Sequence, residues 1–184
     1  MHTIPINTEE NSLEILGGKG RSLARMTRSG FRVPDGFIVT ADAYRDFVNA
    51  CGIQEEIIEL AKPDLKNGYP NFEECSKKIQ LIIESNQTPD STRNEIIEAY
   101  EGLSGTDLRM AVRSSANAED LPEFSFAGQQ ETFLNISTSA AIIESVHKCW
   151  ASLWTPQAIS YRHQNGIDQS SVAMAVVVQK MIPS

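Results

Sequence analysis

The feature that most restricts the fold is an apolar run near the C-terminus, residues 172–178, with the sequence VAMAVVV. Successive side chains of a strand point to opposite faces, so this strand is apolar on both of them. Such a strand has to be buried on both faces and is typical of the middle of a sheet. Because the chain stops soon after this run, we expect residues 1–184 to be the N-terminal portion of a longer protein that supplies part of the cover.

Three further strands are predicted. One follows a Pro-Asp-Gly turn at residues 37–40, and alternating patterns predict the others at residues 108–113 and 129–136. Thr132 stands out in the last of these as a polar residue on an otherwise apolar strand. Between the last two strands, residues 114–128 predict a long loop of small residues. Loops of that length are uncommon in compact domains unless they are functional.

Helical periodicity dominates the rest of the chain. Apolar spacings of three and four predict helices from about Arg21 to Gly30, from Thr40 to Gly52, three between residues 53 and 104, one through residues 142–153 and one from Thr155 to Gly166. The charges on the middle helices are typical of solvated faces. The predicted fold class is therefore α+β, with a helical segment at about 53–104 and a sheet-containing part at about 107–184.

The net charge of −8 argues against a nucleic-acid or anionic-membrane partner, because both select clustered cations. The acidity is local, however. Residues 53–101 hold eleven acids against five bases, whereas residues 19–32 hold five bases and no acid. No apolar stretch approaches the roughly 18 residues that a membrane span needs. Three cysteines without CxxC spacing indicate reduced thiols, no zinc site and a cytoplasmic location.

Two cations lie in contexts that suit a phosphate. Lys19 belongs to the cluster Gly17-Gly-Lys-Gly20 before a predicted helix, where backbone N–H groups and an ammonium can converge on an anion. The alternative is a glycine-rich turn with a solvated lysine, since the P-loop spacing is absent. Arg113 ends a strand and is followed by two serines, which favours phosphate. Its alternative is an ion pair with Glu119 or Asp120.

Other polar residues suggest weaker hypotheses. Glu119, Asp120 and Glu123 could hold a hard cation, although carboxylates in a polar loop are more often solvated. Gln179 follows the central apolar run and could present an amide to an adenine ring, or it could be a satisfied core amide. No arrangement of a nucleophile with a histidine is visible, so a catalytic nucleophile is expected outside this chain.

Several sequence motifs resemble those of the phosphoenolpyruvate synthase and pyruvate phosphate dikinase family. They are GGKGRSL from Gly17, VPDGF from Val33, TADAY from Thr40, AVRSSANAEDLP from Ala111, FAGQQETFLN from Phe126, CWASL from Cys149 and AISYR from Ala158. They occur in order over essentially the whole chain. Rifampicin phosphotransferases share the same ATP-binding unit.

The resemblance implies the N-terminal part of an ATP-grasp-like nucleotide-binding domain. In the family, the residues at Lys19 and Arg113 grip the ATP phosphates and are taken as catalytic. The positions that line the nucleotide correspond here to Gly128, Thr132, Gln179, Met181 and Ile182. The family's magnesium-binding acids come later in the sequence, so no metal ligand is expected in this chain.

The resemblance also implies a reaction. A histidine in a later domain accepts a phosphoryl group from ATP, and a synthase passes it to pyruvate, yielding phosphoenolpyruvate, AMP and phosphate. The expected partners are thus ATP, Mg²⁺, pyruvate or another small acceptor, and the phosphohistidine domain of the same polypeptide. Alone, the 184-residue chain is expected to be inactive. The alternatives are a rifampicin phosphotransferase and a stand-alone, non-catalytic nucleotide-binding module.

Overall fold

The computed structural model describes residues 1–66, 69–103, 109–116 and 131–182. The helices in these ranges are α1 (Leu13–Arg28), α2 (Ala41–Ala50), α3 (Gln54–Leu60), α4 (Glu73–Ser85), α5 (Asp90–Glu101), α6 (Ser139–Ala151) and α7 (Pro156–Gln164). The strands are β1 (Thr3–Pro5), β2 (Gly36–Val39), β3 (Asp64–Lys66), β4 (Tyr69–Asn71), β5 (Met110–Ala116), β6 (Thr132–Ile136) and β7 (Met174–Lys180). Short 3-10 turns occupy Ser152–Trp154 and Gln169–Ser171. The predicted mixture of helices and strands is confirmed.

Five strands form one antiparallel sheet in the order β1-β2-β7-β5-β6. The apolar run of residues 172–178 supplies β7, which is the third strand of five and is buried along nearly its whole length. The prediction of a buried central strand is confirmed. The sheet also includes β1 and β2 from the N-terminal part of the chain. Strand β2 confirms the strand predicted at residues 37–40, whereas β1 was not predicted.

Each face of β7 is covered by elements that precede it. Val176 and Val178 belong to the larger core, which holds residues of α2, α4 and α6. Ala175 and Val177 point the other way and pack with α1 in a smaller core. We call the face under α1 the α1 face. The described residues themselves therefore cover β7 on both faces, and the expectation that the chain is the N-terminal portion of a longer protein stays a prediction.

The middle of the chain is helical, as the periodicity predicts. Helices α3, α4 and α5 bury residues such as Ile57, Ile79 and Ile96, and their charged side chains lie outside. The two-stranded β3–β4 hairpin within this segment was not predicted. Each of its strands is only three residues long, which is too short for an alternating pattern to be recognised. Its apolar residue Leu65 is exposed and so does not mark a buried face.

Helix α1 begins at Leu13, not at about Arg21, and it contains the glycine cluster. The helix consists of two segments that meet at Gly17, whose φ of 66° and ψ of 176° interrupt the helical path. Gly20 continues the second segment and packs against β2, where an added Cβ would lie 3.1 Å from Ile38 Cδ1. Here glycine permits close contact between a helix and the sheet, and a simple turn was therefore the wrong interpretation.

The loop predicted at residues 114–128 is shorter at its start, since β5 continues through Ala116. Its remaining part, residues 117–128, lies outside the described residues. In the predicted strand at 129–136, residues 132–136 form β6, and Gln129 and Gln130 also lie outside the described residues. Within the described part of the chain, no helix is long and apolar enough to cross a bilayer.

Candidate functional site

Lys19 lies in the first turn of the second α1 segment and reaches down to β5. Its Nζ donates a hydrogen bond of 2.7 Å to the carbonyl oxygen of Ser114. The side chain is partly buried, so the ammonium sits at the junction of the helix and the sheet. The N–H groups in the first turn of a helix have no intrahelical acceptor and carry a partial positive charge. Lys19 and these amides therefore place positive charge at the same point.

Arg113 directly precedes Ser114, whose carbonyl oxygen accepts from Lys19, on β5. It pairs with Thr132 of β6 on one side and with Val177 of β7 on the other. Directly paired residues of antiparallel strands project to the same face, and Val177 lies on the α1 face. Arg113 and Thr132 therefore share the face that α1 covers. Within the part of the chain that the structure describes, the Arg113 guanidinium has neither an ion pair nor a hydrogen bond.

Gln179 is two residues beyond Val177 and so lies on the same face. It is 9% exposed, and its Nε2 donates a hydrogen bond of 3.2 Å to the carbonyl oxygen of Pro34. This contact supports the reading of Gln179 as a partly satisfied amide, and it also fixes the side chain at the end of β7. Lys19, Arg113, Thr132 and Gln179 thus come together on one side of the sheet, although they are distant in sequence.

Met181 and Ile182 follow β7 directly. The Met181 N–H donates to the carbonyl oxygen of Arg109 at 2.8 Å, and its Sδ accepts from the N–H of Asn135 on β6 at 3.2 Å. Ile182 is 71% exposed. This segment therefore crosses the end of β5 toward β6 and presents apolar surface beside the polar end of β7.

Several candidates lie outside the described residues. They are Gly128 and the loop acids Glu119, Asp120 and Glu123, including the two acids considered as partners of Arg113. Among the described residues, no group of three or more His, Cys, Asp or Glu side chains could hold a metal ion. The described part of the chain thus offers cations and amides but does not fit a magnesium site.

The titratable groups with the most displaced pKa values lie on the other side of the sheet. Burial raises the pKa of Tyr44 to about 12 and raises that of the Cys149 thiol. Burial lowers the pKa of His147, which lines a groove of about 550 Å³ between α4, α5 and α6. A Cys149 thiol held protonated in the core is a poor nucleophile.

Sequence reasoning missed two residues of the site. Ser115 is fully buried, and its hydroxyl contacts α1 at the Gly17 break. Leu134 lies two residues after Thr132 on β6 and is 54% exposed. The motif Arg113-Ser114-Ser115 was the only sequence signal for Ser115, and it did not distinguish the two serines. The alternation of β6 was the sequence signal for Leu134, since it places Leu134 on the same face as Thr132.

Comparison with known proteins decides the family. The family described as "Pyruvate phosphate dikinase, AMP/ATP-binding domain" matches residues 13–184, nearly the entire chain. The chain belongs to this family. The resemblance found in the sequence motifs is confirmed.

The proteins similar to this chain include phosphoenolpyruvate synthases and a rifampicin phosphotransferase. A probable phosphoenolpyruvate synthase of Methanocaldococcus jannaschii is 48% identical over 174 residues, covering 92% of this chain and 15% of the relative. A phosphoenolpyruvate synthase of Synechocystis sp. is 43% identical, with coverages of 92% and 22%. A rifampicin phosphotransferase of Streptomyces sviceus is also 43% identical, with coverages of 95% and 20%. The chain spans less than a quarter of the length of each.

Proposed function

We propose that this chain binds the phosphates of ATP beside the contact between α1 and β5, as part of a phosphoenolpyruvate synthase-like phosphotransferase. The observation that carries the proposal is the position of Lys19, whose ammonium lies against the carbonyl oxygen of the residue next to Arg113. Arg113 lies on the α1 face one residue before that carbonyl, and Lys19 lies at the start of a helical segment, so two cations from separate elements are near this point in the fold. Helix N-termini, ammonium groups and guanidinium groups are all suited to phosphate oxygens.

The end of β7 is the proposed adenine side of the same cleft. Gln179 supplies an amide, and the exposed apolar side chains of Leu134 and Ile182 together with Met181 supply an apolar wall. Nucleotide sites commonly combine apolar walls with a few fixed polar groups. Thr132, on the shared face beside Arg113, is proposed to line the phosphates, and Gly128 is proposed to do so from the segment outside the described residues. We regard the domain as ATP-grasp-like on this basis.

In this proposal, the chain's own residues bind and orient the nucleotide. Lys19 and Arg113 offset the charge that moves onto the phosphoryl oxygens, and they hold the transferred group in line with its acceptor. Mg²⁺ would neutralise further phosphate charge, with ligands outside these residues. The acceptor is a histidine of a later domain, and the greater length of the relatives supports such a domain. The overall reaction is ATP, pyruvate and water giving phosphoenolpyruvate, AMP and phosphate.

A second candidate is the ATP-binding part of a rifampicin phosphotransferase. It is supported by the relative of that name, which is as similar to this chain as the Synechocystis synthase is. The phosphate site would be the same in both cases, and only the acceptor would differ. A stand-alone nucleotide-binding module remains the third hypothesis. A cytoplasmic location is part of the proposal and is supported by the free thiols of all three cysteines.

The test is ATP-dependent turnover in a protein that carries this chain together with the proposed later domains. We expect Lys19→Ala and Arg113→Ala each to lower turnover at least about 100-fold, which is typical for the loss of one group that stabilises transition-state charge. Lys77→Ala and Arg93→Ala are matched controls, because both cations are exposed and pair with acids three residues away in α4 and α5. Turnover near the wild-type value in the Lys19 and Arg113 variants would refute the site assignment.

A further inference from the structure

The hydroxyl of Ser115 occupies an unusual position between two turns of α1. It donates a hydrogen bond of 2.9 Å to the carbonyl oxygen of Leu16, and it accepts one of 3.0 Å from the N–H of Gly20. In an uninterrupted helix these two backbone groups, four residues apart, would bond to each other. The side chain of Ser115 has therefore entered the helical hydrogen-bond ladder and replaced one bond with two.

This insertion coincides with the break at Gly17. A side chain that enters the ladder is one of the recognised causes of a helix kink. Gly17 adopts a positive φ at this point, and an added Cβ would lie only 2.0 Å from the carbonyl oxygen of Ser115. The break is therefore fixed from two directions, by the serine hydroxyl and by the close approach of the strand backbone.

Three successive residues of β5 lie next to the start of the second α1 segment. Arg113 projects from the α1 face, the carbonyl oxygen of Ser114 accepts from Lys19 Nζ, and the hydroxyl of Ser115 bridges the break just before Lys19. Ser115 is fully buried, so its hydroxyl has no role on the surface. Its two bonds determine where the second α1 segment starts and which way its first amides point.

We propose that Ser115 is a positioning residue of the phosphate site. It acts through the Gly17–Gly20 turn and keeps Lys19 and the first amides of the second α1 segment directed at the place that Arg113 also reaches. This inference rests on the proposed function. It assigns to the second serine of the RSS phrase a task different from that of the arginine, which contacts the phosphates itself.

The test compares Ser115→Ala with Ser76→Ala in the 184-residue chain. Ser76 is the matched control, because its hydroxyl is also buried and also joins two elements, donating at 2.6 Å to the carbonyl oxygen of Trp154. Two measurements are made under conditions in which all three proteins are folded. They are the hydrogen-exchange rate of the Gly20 amide without ligand and the ATP dissociation constant by NMR titration.

In Ser115→Ala we expect the Gly20 amide to exchange at least about 10-fold faster than the change in global stability explains. We expect the ATP dissociation constant to rise by a similar factor, equivalent to about 1.4 kcal/mol. In Ser76→Ala the Gly20 exchange rate should follow global stability only, and the ATP dissociation constant should not change. A purely structural role for Ser115 predicts that the two variants behave alike, and that result would overturn the inference.

The two proposals can fail separately. If wild-type chain shows no ATP binding while Gly20 exchange rises only in Ser115→Ala, the bridging role of Ser115 is supported and the nucleotide proposal for this chain is refuted. If ATP binds and Ser115→Ala binds it with wild-type affinity, the positioning role is refuted and the nucleotide proposal stands.

Discussion

Replacement of Gly17 by alanine tests the break in α1 directly. The φ of 66° and ψ of 176° lie in a region that is essentially restricted to glycine, and a residue with a side chain there costs about 1–3 kcal/mol. The added Cβ would also lie 2.0 Å from a backbone oxygen of Ser115, a distance that forces the helix away from the strand. Overpacking of this kind costs about 1–3 kcal/mol more. Together these costs predict a loss of about 2–6 kcal/mol in the free energy of unfolding.

Gly30→Ala and Gly52→Ala are the matched controls. Both glycines have positive φ values, 83° and 66°, but an added Cβ would meet no atom within 4 Å. Each control should lose about 1–2 kcal/mol, from the backbone conformation alone. The assay is urea unfolding followed by far-UV circular dichroism, with thermal midpoints as a check at about 2–4 °C per kcal/mol for a chain of this size. If Gly17→Ala loses no more stability than the controls, the reasoning about the close approach to Ser115 is refuted.

The remaining predictions concern helix capping and pH. Thr155→Ala should lower the free energy of unfolding by about 1 kcal/mol, because the Thr155 hydroxyl accepts from the N–H of Ala158 at the start of α7. A loss of stability indistinguishable from zero, measured by urea unfolding, would contradict this. Burial lowers the folded-state pKa of His147 below its usual 6.5, so the unfolded state takes up a proton first as the pH falls. The stability from His147 should therefore be complete above about pH 6.5 and decline below it, by at most about 1.4 kcal/mol per pH unit. Urea unfolding from pH 7.5 to 5.5 should show a flatter profile for His147→Gln, and identical profiles for the two proteins would refute the assignment.

The sequence predicted those parts of the fold whose signals are local. The central strand could be found because VAMAVVV leaves no polar face, and α7 because Thr155 and Pro156 form a capping start. Thr40 shows the limit of such signals. It occupies the N-cap position of α2 as predicted, but its hydroxyl donates to the carbonyl oxygen of Met1 and does not cap the helix. A tertiary contact replaced the local one.

The parts that could not be predicted depend on contacts between distant residues. Strand β1 has three residues and ends in a proline, and it exists as a strand because β2 pairs with it. The hydroxyl of Ser115 bonds to a helix residue 99 positions earlier in the chain. No pattern in either segment predicts that the two are in contact. For the candidate site, Lys19 and Arg113 were identified from their local contexts, whereas their common location became visible only with the register of β5 and the course of α1.

The central claim is that ATP binds on the α1 face of the sheet. It is tested most directly by titrating the isotope-labelled 184-residue chain with millimolar ATP and following the backbone amide signals. We expect weak binding that shifts the amides of the Gly17–Gly20 turn together with those of Arg113, Ser115, Thr132 and Gln179. Absence of shifts, or shifts confined to the groove beside His147 on the opposite side of the sheet, would contradict the account.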